Sequence, residues 1–137
     1  MTSNEIETRF LFVPRLSHYE YLTLLSMSSV FLNPFPFGAG ITSSEALALC
    51  VPVITLTDEI SVLQFALAQI RKLGTDLVNR MVAHDIETYI RLAVETATGL
   101  YTPLNVYREL ICSRRSLLFS KNMLHETTYE WRDFLSH

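Results

Sequence analysis

"NPFPFGAGITSSEALALCVPVITL", residues 33–56, holds three of the chain's five prolines and two of its four glycines within its first 20 residues. Turn-forming residues gathered between apolar runs mark a boundary between regular elements. "VFLN" precedes them; Thr-Ser-Ser-Glu and "ALALC" follow, and "VPVITL" closes the stretch. Apolar run, Pro/Gly turn, helix-like segment and second apolar run read in order as strand, loop, helix and strand, a βαβ unit.

The pattern continues outward. "RFLFVP", Arg9 to Pro14, reads as a buried parallel strand, Tyr19 to Ser28 as a helix with Ser17 as N-cap, and Thr42 to Leu49 as the helix after the turn. From Asp58 to Gly74, apolar Val62, Phe65, Ala66, Ile70 and Leu73 recur at three- and four-residue steps, with Arg71 and Lys72 before a C-cap at Gly74. "DLV" at 76–78 reads as a final strand, and Asp85 as the cap of a helix with Ile86, Tyr89, Ile90, Ala93 and Val94 on one face. Beyond Gly99 and Pro103 a helical stretch runs to about Ser120, and a last helix from about Glu126 to Leu135. Strands separated by helices predict an α/β fold with a parallel sheet and right-handed crossovers. Ligands of such sheets sit outside the carboxyl ends of the strands, which is where the 33–40 loop falls.

With 137 residues, 49% of them apolar and 18% charged, the chain has the material for one domain, 9–137, behind a flexible amino terminus at 1–8. A net charge of −3 supplies no basic footprint for nucleic acid or an anionic membrane. No apolar run reaches the ~18 residues of a membrane span, and the amino terminus lacks a signal-peptide pattern. Cys50 and Cys112 stand far apart, outside any metal-binding spacing, and read as reduced thiols of a cytoplasmic or nucleocytoplasmic protein. His84, His125 and His137 are scattered without metal-ligand spacing, and Asp58 and Glu59 suit a helix cap. Ser43 and Ser44 lie in no Gly-x-Ser-x-Gly elbow, which argues against serine hydrolysis. Trp131 and Phe134, three apart in the tail, are expected to pack on the sheet or on a further domain.

Within "FGAGITSSE" the two glycines let the backbone approach a ligand, and Thr42, Ser43 and Ser44 place hydroxyls at a helix start whose N–H groups favour an anion. Phosphate is the anion such a loop suits. Glu45, one turn into the helix, can accept hydrogen bonds from both hydroxyls of a ribose. Equally, Thr42 and Glu45 have the spacing of a capping box and need do no more than close the helix. The loop has neither the Gly-Lys-Ser/Thr of a P-loop nor a Gly-x-Gly-x-x-Gly dinucleotide fingerprint.

These residues resemble the donor-nucleotide segment of the glycosyltransferase family that includes the O-GlcNAc transferases, the Spindly-type O-fucosyltransferases and the bacterial cytosolic N-glucosyltransferases. "LNPFPFG" is similar to the bacterial members and "SSEALALCVPVITL" to the Spindly and O-GlcNAc branch. The likeness extends to "RFLFVPRLSHYEYL", "QFALAQIRKLG", "DIETYIRLA" and "RRSLLF". It implies a Rossmann-like three-layer parallel sheet, the partial carboxy-terminal half of a GT-B fold. The implied activity is metal-independent transfer of a GlcNAc-like sugar, with no cofactor, from a UDP- or GDP-sugar donor to protein hydroxyls.

Carried over by position, the resemblance makes Glu45 the holder of the ribose hydroxyls and Thr42 a contact of the diphosphate, with Gly40 and Ile41 as its neighbours. His18 and Tyr21 fall where the family has a lysine and a histidine beside base and ribose. Four positions depart from the pattern: His18 replaces a lysine, Ile41 has no hydroxyl, Tyr21 stacks but lacks an imidazole, and Cys50 replaces a glycine. The family's amino-terminal domain and its phosphate-binding lysine precede the matching residues. The resemblance therefore implies a missing amino-terminal domain or partner chain, and an isolated chain that is inactive. Apolar surface at Phe10, Phe12 and Trp131, left uncovered, would make that chain self-associate. The competing expectation is a non-catalytic Rossmann-like binding module.

Overall fold

The computed structural model describes residues 9–57, 64–119 and 122–136. Its elements run α1 (His18–Met27), β1 (Phe31–Leu32), α2 (Ile41–Ala48), β2 (Val53–Leu56), α3 (Gln64–Leu73), α4 (Thr75–Met81), β3 (Val82–Ala83), α5 (Ile86–Thr98), α6 (Leu104–Arg114) with a 3₁₀ turn (Arg115–Leu117), and α7 (Asn122–Leu135). The fold is α/β. Three parallel strands form a sheet in the order β1-β2-β3, with Phe31 opposite Val53, Leu32 opposite Ile54, Thr55 opposite Val82 and Leu56 opposite Ala83.

The unit read from residues 30–56 is present as β1, loop, α2 and the parallel strand β2. Val53, Ile54 and Thr55 are all fully buried, as expected of a central parallel strand with no solvent face. Around them Leu47, Ile70, Leu73, Leu77, Met81 and Ile111 are buried to the same degree. Each such side chain contributes about 1.5–3 kcal/mol relative to exposure.

Other expectations are corrected. "RFLFVP" forms no strand: residues 10–17 have no regular structure, and Phe10, Leu11 and Phe12 are exposed. The apolar run alone suggested a strand, but nothing pairs with it in the described fold. "DLV" lies in helix α4, whose Leu77 and Met81 are buried four residues apart, one helical turn, and the strand begins only at Val82. On α5 the buried positions are Tyr89, Leu92 and Thr96, whereas Ile86, Ile90 and Val94 form an exposed stripe. Phe65, expected on the inner face of α3, is exposed, and Val62 lies outside the described residues, as do Asp58 and Glu59. Trp131 and Phe134 pack edge to face on each other, with centroids 6.0 Å apart, and remain exposed rather than docking on the sheet.

Local chemistry explains the ends of several elements. Ser17 and Glu20 form the capping box of α1: the Ser17 N–H donates to Glu20 Oε2 over 2.8 Å, and the Glu20 N–H donates to Ser17 Oγ over 3.3 Å. Asp85 caps α5 through the Thr88 N–H at 2.7 Å. Gly74, at φ 137°, joins α3 to α4 in a conformation open to glycine. Arg114 closes over that turn, donating to Leu73 O (3.1 Å) and Asp76 Oδ1 (2.6 Å), and a Cβ on Gly74 would lie 2.5 Å from its Nη1.

The carboxyl end of α2 overturns the expectation of two reduced thiols, because Cys50 and Cys112 are joined by a disulfide that ties this end to α6. With it goes the cysteine argument for a reducing compartment. Cys50 has φ 61°, the left-handed conformation. The Val51 N–H donates to Ala46 O (2.8 Å) and the Cys50 N–H to Leu47 O (3.0 Å), the paired bonds of a Schellman cap. A glycine at this position, as in the resembling family, would take that conformation without steric cost.

Two expectations can be measured. In a Cys112→Ser background, Cys50→Gly should be more stable than Cys50→Ala by about 1 kcal/mol in urea unfolding, despite the lower helix propensity of glycine; the reverse order would mean that position 50 does not keep its positive φ. The Asp85 carboxyl is held below its ordinary range, first by the Thr88 N–H and then by the Thr88 hydroxyl. A depressed folded-state pKa gives stability that is present above the ordinary aspartate value and is lost as pH falls through it towards the folded value. Asp85→Asn, which retains a capping oxygen, should therefore melt close to the parent at pH ~7 and lose less than the parent on acidification to pH ~3.

Candidate functional site

The loop that leaves β1 is built around Asn33, whose side chain is 1% exposed. Its Nδ2 donates to Thr55 Oγ1 on β2 (2.9 Å), its Oδ1 accepts from the Ala39 N–H (2.7 Å), and its backbone carbonyl accepts from the Tyr89 hydroxyl of α5 (3.0 Å). Tyr89 also meets Phe35 edge to face at 5.7 Å, and the Phe35–Pro36 peptide is cis. Sequence reasoning passed over Asn33 and read Tyr89 only as an apolar face residue. A polar side chain closing the apolar run "VFLN" was the available signal.

The loop delivers the chain to α2 at Gly40, the N-cap, which offers no side chain to the helix. Helix α2 starts at Ile41, so Thr42 and Glu45 lie inside it and do not form the expected capping box. Ser43 points inward and is fully buried. Its hydroxyl lies 2.8 Å from both Ala39 O and Gly40 O and 2.9 Å from Gln69 Oε1, while Gln69 Nε2 donates to Ser44 Oγ at 2.7 Å. One hydroxyl proton serves one of these acceptors at a time, so Ser43 is occupied in holding the loop to α3. Gln69 was not singled out in the sequence.

Helix α1 packs against α2 and brings three of the expected residues together. His18 Nε2 stands 3.8 Å from Glu45 Oε1, and the His18 and Tyr21 rings lie 6.4 Å apart. The Tyr21 hydroxyl is buried without a hydrogen-bond partner; burial, and secondarily the Glu45 charge, raises its pKa above the ordinary phenol value. The grouping thus has a carboxylate acceptor, a phenol donor without a partner, and an imidazole at the edge. It is suited to a polar ligand with adjacent hydroxyls. Gly40 and Ile41 lie beside it at the helix start, both exposed, and a Cβ on Gly40 would meet no atom within 4 Å. The glycine is therefore not demanded by internal packing.

A cleft of about 430 Å³ lies at the carboxyl ends of β2 and β3, lined in part by Thr57, Arg71 and His84, and includes none of the Glu45 group. Thr57 Oγ1 donates to Ala83 O (3.1 Å) and lies 3.0 Å from His84 Nδ1. The hydroxyl donates instead to the imidazole when His84 carries its proton on Nε2, and accepts from it when the proton is on Nδ1. Among the described residues no group of three His, Cys, Asp or Glu side chains is placed to hold a metal ion. No helix there is long and apolar enough to cross a membrane.

Replacing Asn33 with alanine strands the Thr55 hydroxyl and the Ala39 N–H in a buried space. The expected cost is about 2–4 kcal/mol of stability in urea unfolding; a loss below ~1 kcal/mol would show that the amide does not organise the loop.

No protein-family model matches the chain, and no curated protein matches it.

Proposed function

We propose that the chain is the donor-binding portion of a glycosyltransferase, taking a nucleoside diphosphate sugar at the junction of α1 and α2. UDP-GlcNAc is the preferred donor, with GDP-fucose or UDP-glucose as variants, and a protein hydroxyl is the acceptor. The fold is assigned to a Rossmann-like partial half of a GT-B enzyme. The observation that carries this reading is the approach of His18 and Tyr21, one turn apart on α1, to Glu45 on α2, more than 20 residues further along the chain, three positions that the family resemblance assigns to the nucleotide. Glu45 accepts from the ribose hydroxyls. Tyr21 offers its ring for stacking, its hydroxyl being enclosed, and His18 stacks or hydrogen-bonds at the rim.

Further support comes from the start of α2. Its N-terminal N–H groups have no side-chain cap, and space is open in front of Gly40. A diphosphate placed there would meet the backbone of Gly40 and Ile41 and the Thr42 hydroxyl. Ser43 contributes by fixing the loop rather than by touching the donor. The transfer step itself needs stabilisation of the leaving diphosphate, and we assign it to a complete enzyme that includes an amino-terminal domain or partner chain. Exposed Phe10, Phe12, Ile90 and Trp131 support such a covering partner and, without it, self-association of the chain.

Calorimetric titration with UDP and GDP tests the proposal. Glu45→Ala should weaken binding by ~10-fold or more, and Thr42→Ala by less, because a carboxylate shared by two hydroxyls makes charge-assisted bonds whereas one hydroxyl makes a neutral one. Absence of binding of either nucleotide at millimolar concentration would overturn the donor-site reading and leave a non-catalytic module.

A further inference from the structure

The two cysteines of the Cys50–Cys112 bond sit in opposite surroundings. Cys50 is 4% exposed at the end of α2, whereas Cys112 on α6 is open to solvent. Around Cys112 lies a hollow of about 540 Å³, lined by Ala48, Cys112, Arg115, Ser116 and Phe119. Arg115, in the turn after α6, reaches back from the rim of this hollow. Its Nη1 donates to Ala48 O at 2.6 Å and lies 3.6 Å from Cys50 Sγ. Because Ala48 O belongs to the last turn of α2, the guanidinium is anchored beside Cys50 by a contact that does not depend on the disulfide.

We propose that Cys112 is a thiol-exchange site, at which a small-molecule thiol opens the bond and leaves a mixed disulfide on Cys112. Access decides the direction. An incoming thiolate reaches Cys112 Sγ through the hollow, whereas Cys50 Sγ is covered. As the new S–S bond to Cys112 forms, the Cys50–Cys112 bond breaks and its electron pair leaves on Cys50 Sγ. The resulting thiolate lies beside Arg115 and takes a proton from water. A second equivalent of thiol attacks the sulfur of the first, expelling Cys112 as a thiolate; two thiols are oxidised to their disulfide and one protein disulfide is reduced to two thiols. Burial and the carboxyl end of α2 both oppose charge on Cys50, and Arg115 offsets them. A better leaving thiolate is expelled faster, so the rate of opening depends on Arg115.

Opening also removes the covalent tie between the carboxyl end of α2 and α6, leaving the Arg115 bond to Ala48 O to hold it. Cys50 then holds its positive φ with the Schellman bonds alone, and α2 is the helix that carries Glu45. The exchange site therefore acts on a functionally placed helix, although its chemistry does not depend on any nucleotide being bound.

The test uses the full chain and glutathione as the probe. Titration of the air-oxidised, denatured protein should find no free thiol. After brief exposure to glutathione, acid quench and alkylation, peptide mass spectrometry should place glutathione on Cys112 and the alkyl group on Cys50. Amide exchange in residues 41–48 should rise with the adduct. Arg115→Ala should slow adduct formation about 3- to 10-fold, and Arg115→Lys should recover part of the rate. Two free thiols in the oxidised protein, glutathione on Cys50, or an unchanged rate in Arg115→Ala would each overturn the proposal. The adduct map needs only the parent chain, so it decides the matter even if a variant does not fold.

Discussion

A single buried amide holds the loop between β1 and α2 in place. Asn33 follows β1 with its side chain turned into the interior, where a primary amide costs several kcal/mol unless its groups are bonded. Its donor goes to Thr55 on the neighbouring strand and its acceptor to the Ala39 N–H, so sheet and loop share one anchor. The same residue's carbonyl receives the Tyr89 hydroxyl, which adds α5 to the arrangement. Because those bonds are directional, a loop rich in proline and glycine is held in one position instead of sampling many. Everything further along, from the entry at Gly40 to the direction in which α2 points, depends on that anchor.

Helix α2 is then constrained at both ends and left open at one face. Gln69 grips its first turn through Ser43 and Ser44, and Arg115 and the disulfide secure its last turn. Between them Ala46 and Leu47 are fully buried. Glu45 is half-buried where the helix meets α1, which is how a carboxylate comes to lie near His18 and Tyr21. Fixing both ends of a short helix matters because eight residues are too few to be stable by propensity alone.

The surface carries apolar side chains grouped in particular places. The unpaired segment around Phe10–Phe12, the stripe of Ile86, Ile90 and Val94 on α5, and the ring pair of Trp131 and Phe134 are separated from the buried core. Scattered exposed apolar residues are ordinary, but an exposed stripe along one helix face is the pattern expected where another surface is to be covered. It coincides with the proposal that a further domain or chain completes the protein.

Local sequence determined what depends on local forces. The βαβ unit of residues 30–56, the Ser17 and Asp85 caps and the turn at Gly74 were all legible, because each rests on neighbours within four residues and on a single hydrophobic period. Which face of α5 is buried, whether "RFLFVP" pairs, and where β3 begins were decided by tertiary packing, since an apolar residue records its preference for burial but not which partner supplies it. The site divides in the same way. Glycines, hydroxyls and a carboxylate in sequence announced a loop fit for a ligand, but only the fold brought His18 and Tyr21 to Glu45 and turned Ser43 inward. The disulfide lay beyond reading for the same reason: 62 residues separate Cys50 from Cys112, and their approach to a Cα distance of 5.1 Å is set by the packing of α2 on α6.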